Sequence, residues 1–340
     1  MGGEAPDQLQ QVLLEQIIGS FKKKSDAVER ISELLHLGKD AVYRRLRGET
    51  LLTPKEIQLL ATAFGISLDS LVFQNTNSLI FSMNALSGKI HTFRDFFEGL
   101  TANIQELGAV KDSFIYYPTN EIPLFYFFFF PELLEFKLYV WGKHIWDFDY
   151  LNTTPFGKNF IPADLQIKSQ QLLQRWLKID SAEMWSANLF DNTLSQIEFH
   201  AATGGFEEYG DAFRLCDALS KLSEHLCNMA AAGKKFKPGN HPSSGAVFEL
   251  YHNEMVSAYN TIYITSPTVR MVYVTFGTPN FIKSTDPRIC DFTENWTKTI
   301  LQKSIPISNR AEGERKRFFQ MVNRRIDQTR KRLDAYAHDL

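Results

Sequence analysis

The part of this chain whose residue types and spacing could do recognisable chemistry is the short segment 39–47. It carries four basic residues and one acidic residue, a local net charge of +3 in a chain of 340 residues with a formal charge of −2. If the segment is a helix with Val42 and Leu46 facing inward, steps of about 100° per residue bring another set of side chains to the opposite face. That outward face holds Asp40, Tyr43, Arg44 and Arg47, with Lys39 at its exposed N-terminal end.

An outward face of this composition suits double-stranded DNA. An arginine such as Arg44 can donate to O6 and N7 of guanine, and Tyr43 can stack on a base or touch a thymine methyl group. Lys39 and Arg47 can neutralise phosphates, while Arg45 either adds a phosphate contact or points to solvent. The candidate DNA-binding residues are therefore Lys39, Asp40, Tyr43, Arg44, Arg45 and Arg47.

The surrounding sequence predicts an all-helical N-terminal domain of about five short helices over residues 1–74. Ser25 and Thr53 are the expected N-caps, and Pro54 suits the first helical position after Thr53. A polar, turn-forming stretch at 75–78 is the expected linker. The expected helices are an opening one that ends near Gly19 and four more at 26–35, 39–47, 54–64 and 68–72.

The segment from Ser25 to Phe73 resembles the helix-turn-helix of the phage-repressor and Cro type, also called the XRE family. The likeness rests on the turn at 36–38, the Arg47-Gly48 step and the closing run LATAFGISLDSL. Family members often have Gln where this chain has Val28. The resemblance implies that the helix at 39–47 enters the major groove of DNA. Apolar residues at the matching offsets are Ile31, Leu35, Leu37, Val42 and Leu46.

The larger remainder, 79–340, is expected to be an α+β domain with an antiparallel sheet and long helices. Strand-like runs are SLIFSM, SFIYYP, AVFELYHN, YNTIYITS and VRMVYVTFG. Short Ser-, Asn- and Pro-containing connections between the last three favour an antiparallel meander, because parallel strands need crossovers of a dozen residues or more. Helices are expected at the intervening amphipathic runs and, at the end of the chain, at 288–302 and 311–336.

Aromatic residues are abundant in this remainder, and most of their clusters are expected to be ordinary core. An apolar pocket beside an antiparallel sheet is nevertheless a common place for an effector, so a small apolar or aromatic effector is a candidate partner. The effector-binding residues stay unassigned. The places favoured by the sequence are Tyr263, Tyr273, Phe276 and Trp296.

Several function classes find no support in the sequence. There is no phosphate-binding loop, dinucleotide-binding glycine pattern or GxSxG elbow, and the histidines lack metal-ligand spacing. We therefore expect no catalytic residues, cofactor or metal, and we do not expect an enzyme. Three cysteines without a CxxC pair favour a reducing cytoplasm. The apolar run Leu124 to Phe130 is too short to cross a membrane, so no membrane partner is expected.

The last helix combines a basic side with an apolar stripe. From Arg310 to Arg332 there are nine Lys or Arg residues against three acidic ones, which indicates either a solvated face or a surface for phosphates or an acidic partner. The stripe from Phe318 to Tyr336 and the aromatic clusters could bury a dimer interface, so a homodimer is expected.

Together these features predict a sequence-specific DNA-binding transcriptional regulator, modulated by an effector or partner at its larger domain. One alternative is an interaction protein whose larger domain docks another protein. A less favoured one is an enzyme fused to a DNA-binding module. A closed apolar cavity would favour the sensor, an exposed apolar patch the docking protein, and converging ionisable groups the enzyme.

Overall fold

The computed structural model describes residues 5–339 apart from 22, 73–78, 84–89, 109, 159, 241–244, 255–259 and 278. The linker predicted at 75–78 lies outside these residues. Contacts along the chain fall into two compact units, Met1–Ile80 and Phe81–Leu340, and each is described by itself.

The first unit is all-helical and follows the predicted helices closely. Its core contains the fully buried side chains of Leu13, Ile17, Ile31, Val42 and Leu60, which come from the first four helices. These apolar positions recur at helical spacing, so each helix buries one face against the others. The helices are α1 (Ala5–Gly19), α2 (Lys24–Leu35), α3 (Lys39–Leu46), α4 (Pro54–Phe64) and α5 (Leu68–Val72).

Local capping explains where α4 begins, whereas the cap predicted for α2 is wrong. The Thr53 side chain accepts from the backbone N–H of Glu56, and the Glu56 carboxylate accepts from the backbone N–H of Thr53. Helix α2 starts at Lys24, one residue before the predicted cap, and Lys23 at its N-cap makes no side-chain cap. Ser25 lies inside the first turn, where its hydroxyl donates to Asp26 at 3.0 Å instead.

The larger unit is an α+β structure around a seven-stranded sheet. Its strands are β1 (Phe114–Thr119), β2 (Asp180–Trp185), β3 (Phe248–His252), β4 (Thr261–Thr265), β5 (Arg270–Thr275), β6 (Phe281–Ser284) and β7 (Ile305–Pro306). Its helices are α6 (Phe93–Gly108), α7 (Leu124–Phe127), α8 (Pro131–His144), α9 (Ala163–Trp176), α10 (Asp191–Ala202), α11 (Gly210–Ala232), α12 (Pro287–Gln302) and α13 (Glu312–Asp339).

The sheet is mixed, so the prediction of an antiparallel sheet is wrong for one half of it. The strand order is β6-β5-β4-β1-β2-β3-β7. β2 runs parallel to both β1 and β3, while β4, β5 and β6 form an antiparallel meander beside β1. Helices α7 to α9 lie between β1 and β2, and α10 and α11 between β2 and β3. They supply the long crossovers that parallel strands need.

The strand predictions fail at β2, β6 and β7, which were not predicted, and at one predicted strand that is absent from the described residues. β2 was not predicted, because its inward-facing Glu183 interrupts the apolar pattern; Glu183 pairs in register with Tyr117 of β1 and Leu250 of β3. The strand predicted at SLIFSM is absent from the described residues 79–83, where Ser82 makes a single bridge to Lys283 of β6.

Apolar segments singled out in the sequence are buried inside the larger unit. Phe125 to Phe129 lie in its core. Among the helices that the structure describes, none is long and apolar enough to cross a membrane. The stripe on α13 also faces inward against α10 and α11, so it is not the spare surface that we expected for a dimer interface. Its buried members are Phe318, Val322, Ile326 and Leu333.

Candidate functional site

A three-residue turn joins α2 to α3 and sets the position of the predicted DNA-binding helix. His36 adopts the left-handed conformation, with φ 53° and ψ 43°, and closes the end of α2. The backbone N–H of Leu37 then donates to Ser32 O at 3.0 Å. Gly38 caps the N-terminus of α3, and Val42 on its inner side is fully buried. Helix α3 is therefore anchored along one side and free along the other.

The free side of α3 carries most of the predicted site. Lys39, Asp40 and Arg44 are exposed, and Arg47 is exposed just beyond the last turn. Tyr43 is half-buried, because it packs against the core of the unit. The structure thus brings these five residues to one surface of the first unit.

The cations on this surface differ in their partners. Lys39 Nζ lies 3.3 Å from Glu29 Oε1, and Arg47 Nε lies 2.5 Å from Glu49 Oε1. The side chain of Arg44 has no ion pair or hydrogen bond within the described residues, although its charge helps to lower the pKa of Glu49 after the larger effect of Arg47. Exposed ion pairs are weak, so both paired cations can exchange a carboxylate for a phosphate at little cost.

Arg45 does not belong to this surface. Its side chain is only 13% exposed, and its Nη2 donates to Glu56 Oε1 on α4 at 2.8 Å. Burial alone would raise the pKa of Glu56, but hydrogen bonds from Thr53 and Arg45 outweigh it and hold that pKa below its ordinary value. Arg45 therefore braces α3 against α4. It was expected either to contact a phosphate or to point to solvent, and it does neither in this position.

The sequence analysis missed a second brace, Gln10 on α1. Its amide is buried, and its Nε2 donates to Arg45 O at 2.9 Å and to Thr50 O at 3.0 Å. Its Oε1 accepts from the backbone N–H of Leu52 at 2.6 Å. All three bonds hold the end of α3 and the segment leading to α4. A polar residue on the otherwise apolar side of the opening helix, beside Leu9 and Leu13, was the signal available in the sequence.

The basic side of α13 is largely neutralised within the larger unit. Five of its cations pair with carboxylates, and Arg315 is buried and donates to the backbone oxygens of Ile307 and Asn309. This pairing favours a solvated face, which is the first of the two interpretations of its charge. The pairs are Lys316–Glu312, Arg317–Glu314, Arg325–Asp191, Arg330–Asp217 and Arg332–Glu198.

A buried ionic cluster lies at the centre of the sheet in the larger unit. Glu183 is fully buried and accepts from Tyr126 OH at 2.6 Å, Ser181 Oγ at 3.0 Å and Trp185 Nε1 at 3.2 Å. Lys235 Nζ lies 3.9 Å from Glu183 Oε1 and 4.4 Å from the centre of the Trp176 ring.

Both charged groups of this cluster have shifted pKa values. Burial raises the pKa of Glu183, and the nearby ammonium and hydrogen bonds offset only part of that effect. Burial lowers the pKa of Lys235 to about 8, although Glu183 and Asp180 act in the opposite direction. Both side chains are fully buried, so the cluster holds the sheet together and offers no exposed group to a substrate.

Metal chemistry finds no support in the part of the chain that the structure describes. No group of three or more His, Cys, Asp or Glu side chains is arranged there to hold a metal ion. The nearest approach is the pair His144 and His200, whose Nε2 atoms lie 3.3 Å apart. Burial lowers the pKa of His200 to about 4, so its ring is neutral at pH 7.

Of the four aromatic residues suggested for an effector, the structure places one on a cavity. Tyr273 lines an apolar cavity of about 70 Å³ between α6 and the sheet. Tyr263 is fully buried and its hydroxyl donates to Glu294 at 2.9 Å. Phe276 is exposed, and Trp296 is half-buried on α12. A wider open groove of about 620 Å³ lies at the end of α6 and the beginnings of β1 and β2.

Comparison of the chain with models of protein families, with curated proteins and with solved structures finds no match.

Proposed function

We propose that this chain is a sequence-specific DNA-binding transcriptional regulator that places α3 in the major groove. The observation that carries the proposal is Arg44. It is exposed on a short helix, its side chain has no hydrogen bond or ion pair in the described residues, and it follows the half-buried Tyr43 in the chain. An arginine so placed suits bidentate donation to guanine, the commonest specific contact in the major groove.

The other residues of this surface have supporting roles. Lys39 and Arg47 stand near the two ends of α3 and bind phosphates on either side of the groove, which sets the register of the helix. Asp40, at the N-terminal end, accepts from the amino group of cytosine. Gln10 and Arg45 act through position, because they hold the backbone of α3 from behind.

The resemblance of residues 25–73 to the phage-repressor and Cro type agrees with this assignment. By that resemblance, α2, the turn at 36–38 and α3 would correspond to the two DNA-binding helices of the family and the turn between them. One such helix contacts only a few base pairs, so specific binding calls for two copies on two half-sites. We therefore include a homodimer and a cytoplasmic location in the proposal. The surface that joins the copies is not the α13 stripe.

The experiment that tests this function is selection of binding sites from a pool of random duplex DNA by the full-length protein. The wild type should enrich one motif with two related half-sites. A variant with Lys39, Arg44 and Arg47 all changed to alanine should enrich none, and circular dichroism should show that it remains folded. Recovery of no motif by the wild type, or of the same motif by the triple variant, would refute the proposal.

A further inference from the structure

Two small cavities in the larger unit share walls and form a slot with one apolar and one polar end. The apolar cavity, of about 70 Å³, lies between α6 and the inner face of the antiparallel half of the sheet. The polar cavity, of about 40 Å³, follows at the carboxyl end of β1. Tyr117, Leu124 and Phe281 line both cavities, so the two adjoin along the sheet, and we call the pair the slot.

The polar end contains a buried cation that has few partners. Lys137 on α8 is 3% exposed, and its Nζ lies 5.3 and 5.6 Å from the ring centres of Phe127 and Trp141, which line the same cavity. Its only hydrogen bond within the described residues is a long one, 3.4 Å to Gln196 Oε1. An ammonium group has three N–H donors, so at least two are unused in a site where an unpaired charge is costly.

The nearest carboxylate does not neutralise this cation. Glu121 lines the polar cavity, but its Oε1 accepts from Asn192 Nδ2 at 2.6 Å. No ion pair joins it to Lys137 among the described residues. Burial lowers the pKa of Lys137 and Glu121 raises it only in part. An anion bound in the slot would therefore supply the partner that Lys137 Nζ needs.

We propose that this slot binds a small organic acid, with its hydrocarbon part between α6 and the sheet and its carboxylate on Lys137 Nζ. The apolar end suits the hydrocarbon, because its walls are almost entirely aliphatic and aromatic. A water molecule needs roughly 10–15 Å³ of such volume, so the two cavities hold about eight non-hydrogen atoms. An acid such as benzoate or 4-methylpentanoate has this size.

A second unpartnered group on the wall supports a ligand with some polarity. Tyr273 is 8% exposed, and its buried hydroxyl has no hydrogen-bond partner in the described residues. Buried hydroxyls are nearly always hydrogen-bonded, so one left free beside a cavity indicates a missing partner. A hydroxyl or carbonyl substituent on the acid would supply it. This inference rests on the proposed function only where it identifies the bound acid as the effector of a DNA-binding regulator.

The test is calorimetric titration of the full-length protein, without DNA, with benzoate and with 4-methylpentanoate. Each acid is compared with its neutral amide, which has the same shape. The acids should bind at least tenfold more tightly than the amides. Lys137→Met should reduce acid binding at least tenfold and leave amide binding unchanged. Lys143→Met, on the same helix but over Tyr139 and outside the slot, should change neither.

A third variant tests the apolar end. Leu100→Trp places a larger side chain on the α6 wall, where Leu100 is only partly buried, and should weaken binding of acids and amides alike. Absence of binding by both acids at millimolar concentration would overturn the proposal, as would equal acid binding by wild type and Lys137→Met. Because no DNA is present, either failure would leave the proposed DNA-binding function standing.

Discussion

The two units of this chain use their cations in opposite ways. In the first unit Lys39, Arg44 and Arg47 stand on an exposed helix face, where a polyanion can reach them. In the larger unit Lys137 and Lys235 are buried among aromatic rings. An exposed cation costs the fold little, whereas a buried one must be matched by an anion. The comparison therefore separates the exposed surface that we propose for DNA from an interior in which Lys235 faces Glu183 and Lys137 has no carboxylate in ion-pair contact among the described residues.

The largest expected effect on stability comes from removing the carboxylate of Glu183, which lies closest to the buried ammonium of Lys235. Glu183→Ala leaves that ammonium and three hydrogen-bond donors buried without their acceptor, and should lower the free energy of unfolding of the larger unit by about 3–5 kcal/mol. All five tryptophans lie in that unit, so urea unfolding followed by tryptophan fluorescence measures it.

A double variant separates the cost of an uncompensated buried charge from the cost of changing the side chains. Glu183→Leu combined with Lys235→Met removes both charges and should be less destabilising than Glu183→Ala. If Glu183→Ala were as stable as the wild type, Glu183 would not be the anion that compensates the buried charge of Lys235.

A smaller loss is expected when the brace behind α3 is removed. Gln10→Ala deletes three hydrogen bonds and leaves the buried backbone N–H of Leu52 without its acceptor, whereas Arg45 O keeps its bond from the backbone N–H of Gly48. This should destabilise the first unit by about 1–3 kcal/mol, measured by hydrogen exchange of amides in α3 and α4. Gln11→Ala, an exposed change one residue away, is the control. The tryptophan transition of the larger unit should be unchanged in both variants.

The pH dependence of stability is spread over a range of pH, so its change per pH unit is the smallest of these effects. The pKa of Lys235 is about 8 in the folded chain, against 10.5 for an ordinary lysine. Between these values the unfolded chain binds the proton more than the folded chain does, so the contribution of Lys235 to stability rises as the pH increases from 8 to 10. The rise is at most about 1.4 kcal/mol per pH unit.

Urea unfolding between pH 7.5 and 10, followed by tryptophan fluorescence, tests this slope. The wild type should gain stability relative to the variant with Glu183→Leu and Lys235→Met across that window. Parallel profiles for the two proteins would contradict the lowered pKa.

The same comparison explains which structures the sequence could predict. The helices of the first unit follow from local pattern, since Thr53, Pro54 and Glu56 lie within four positions and define the start of α4 by themselves. Strand β2 depends on partners far away in the chain, and its buried Glu183 breaks the apolar pattern that strand prediction uses.

The candidate sites show the same difference between what local sequence pattern predicts and what depends on residues distant in the chain. Helical angles alone correctly separate Val42 from the exposed Arg44, but they leave Arg45 near the boundary. Only the approach of Glu56 from α4 shows that Arg45 turns inward. The burial of Lys137 could not be predicted for the same reason, because its neighbours Phe127 and Gln196 come from other helices.

The central claim is that Arg44 contacts a base in the major groove, and titration of the selected DNA site with Arg44→Ala tests it most directly. At fixed salt, this variant should bind about 1–3 kcal/mol more weakly and lose preference at one base position in each half-site. Arg30→Ala, which removes an exposed cation from α2, should cause a smaller loss that is the same for all sequences. Equal losses for the two variants, with base preference intact in Arg44→Ala, would contradict the account.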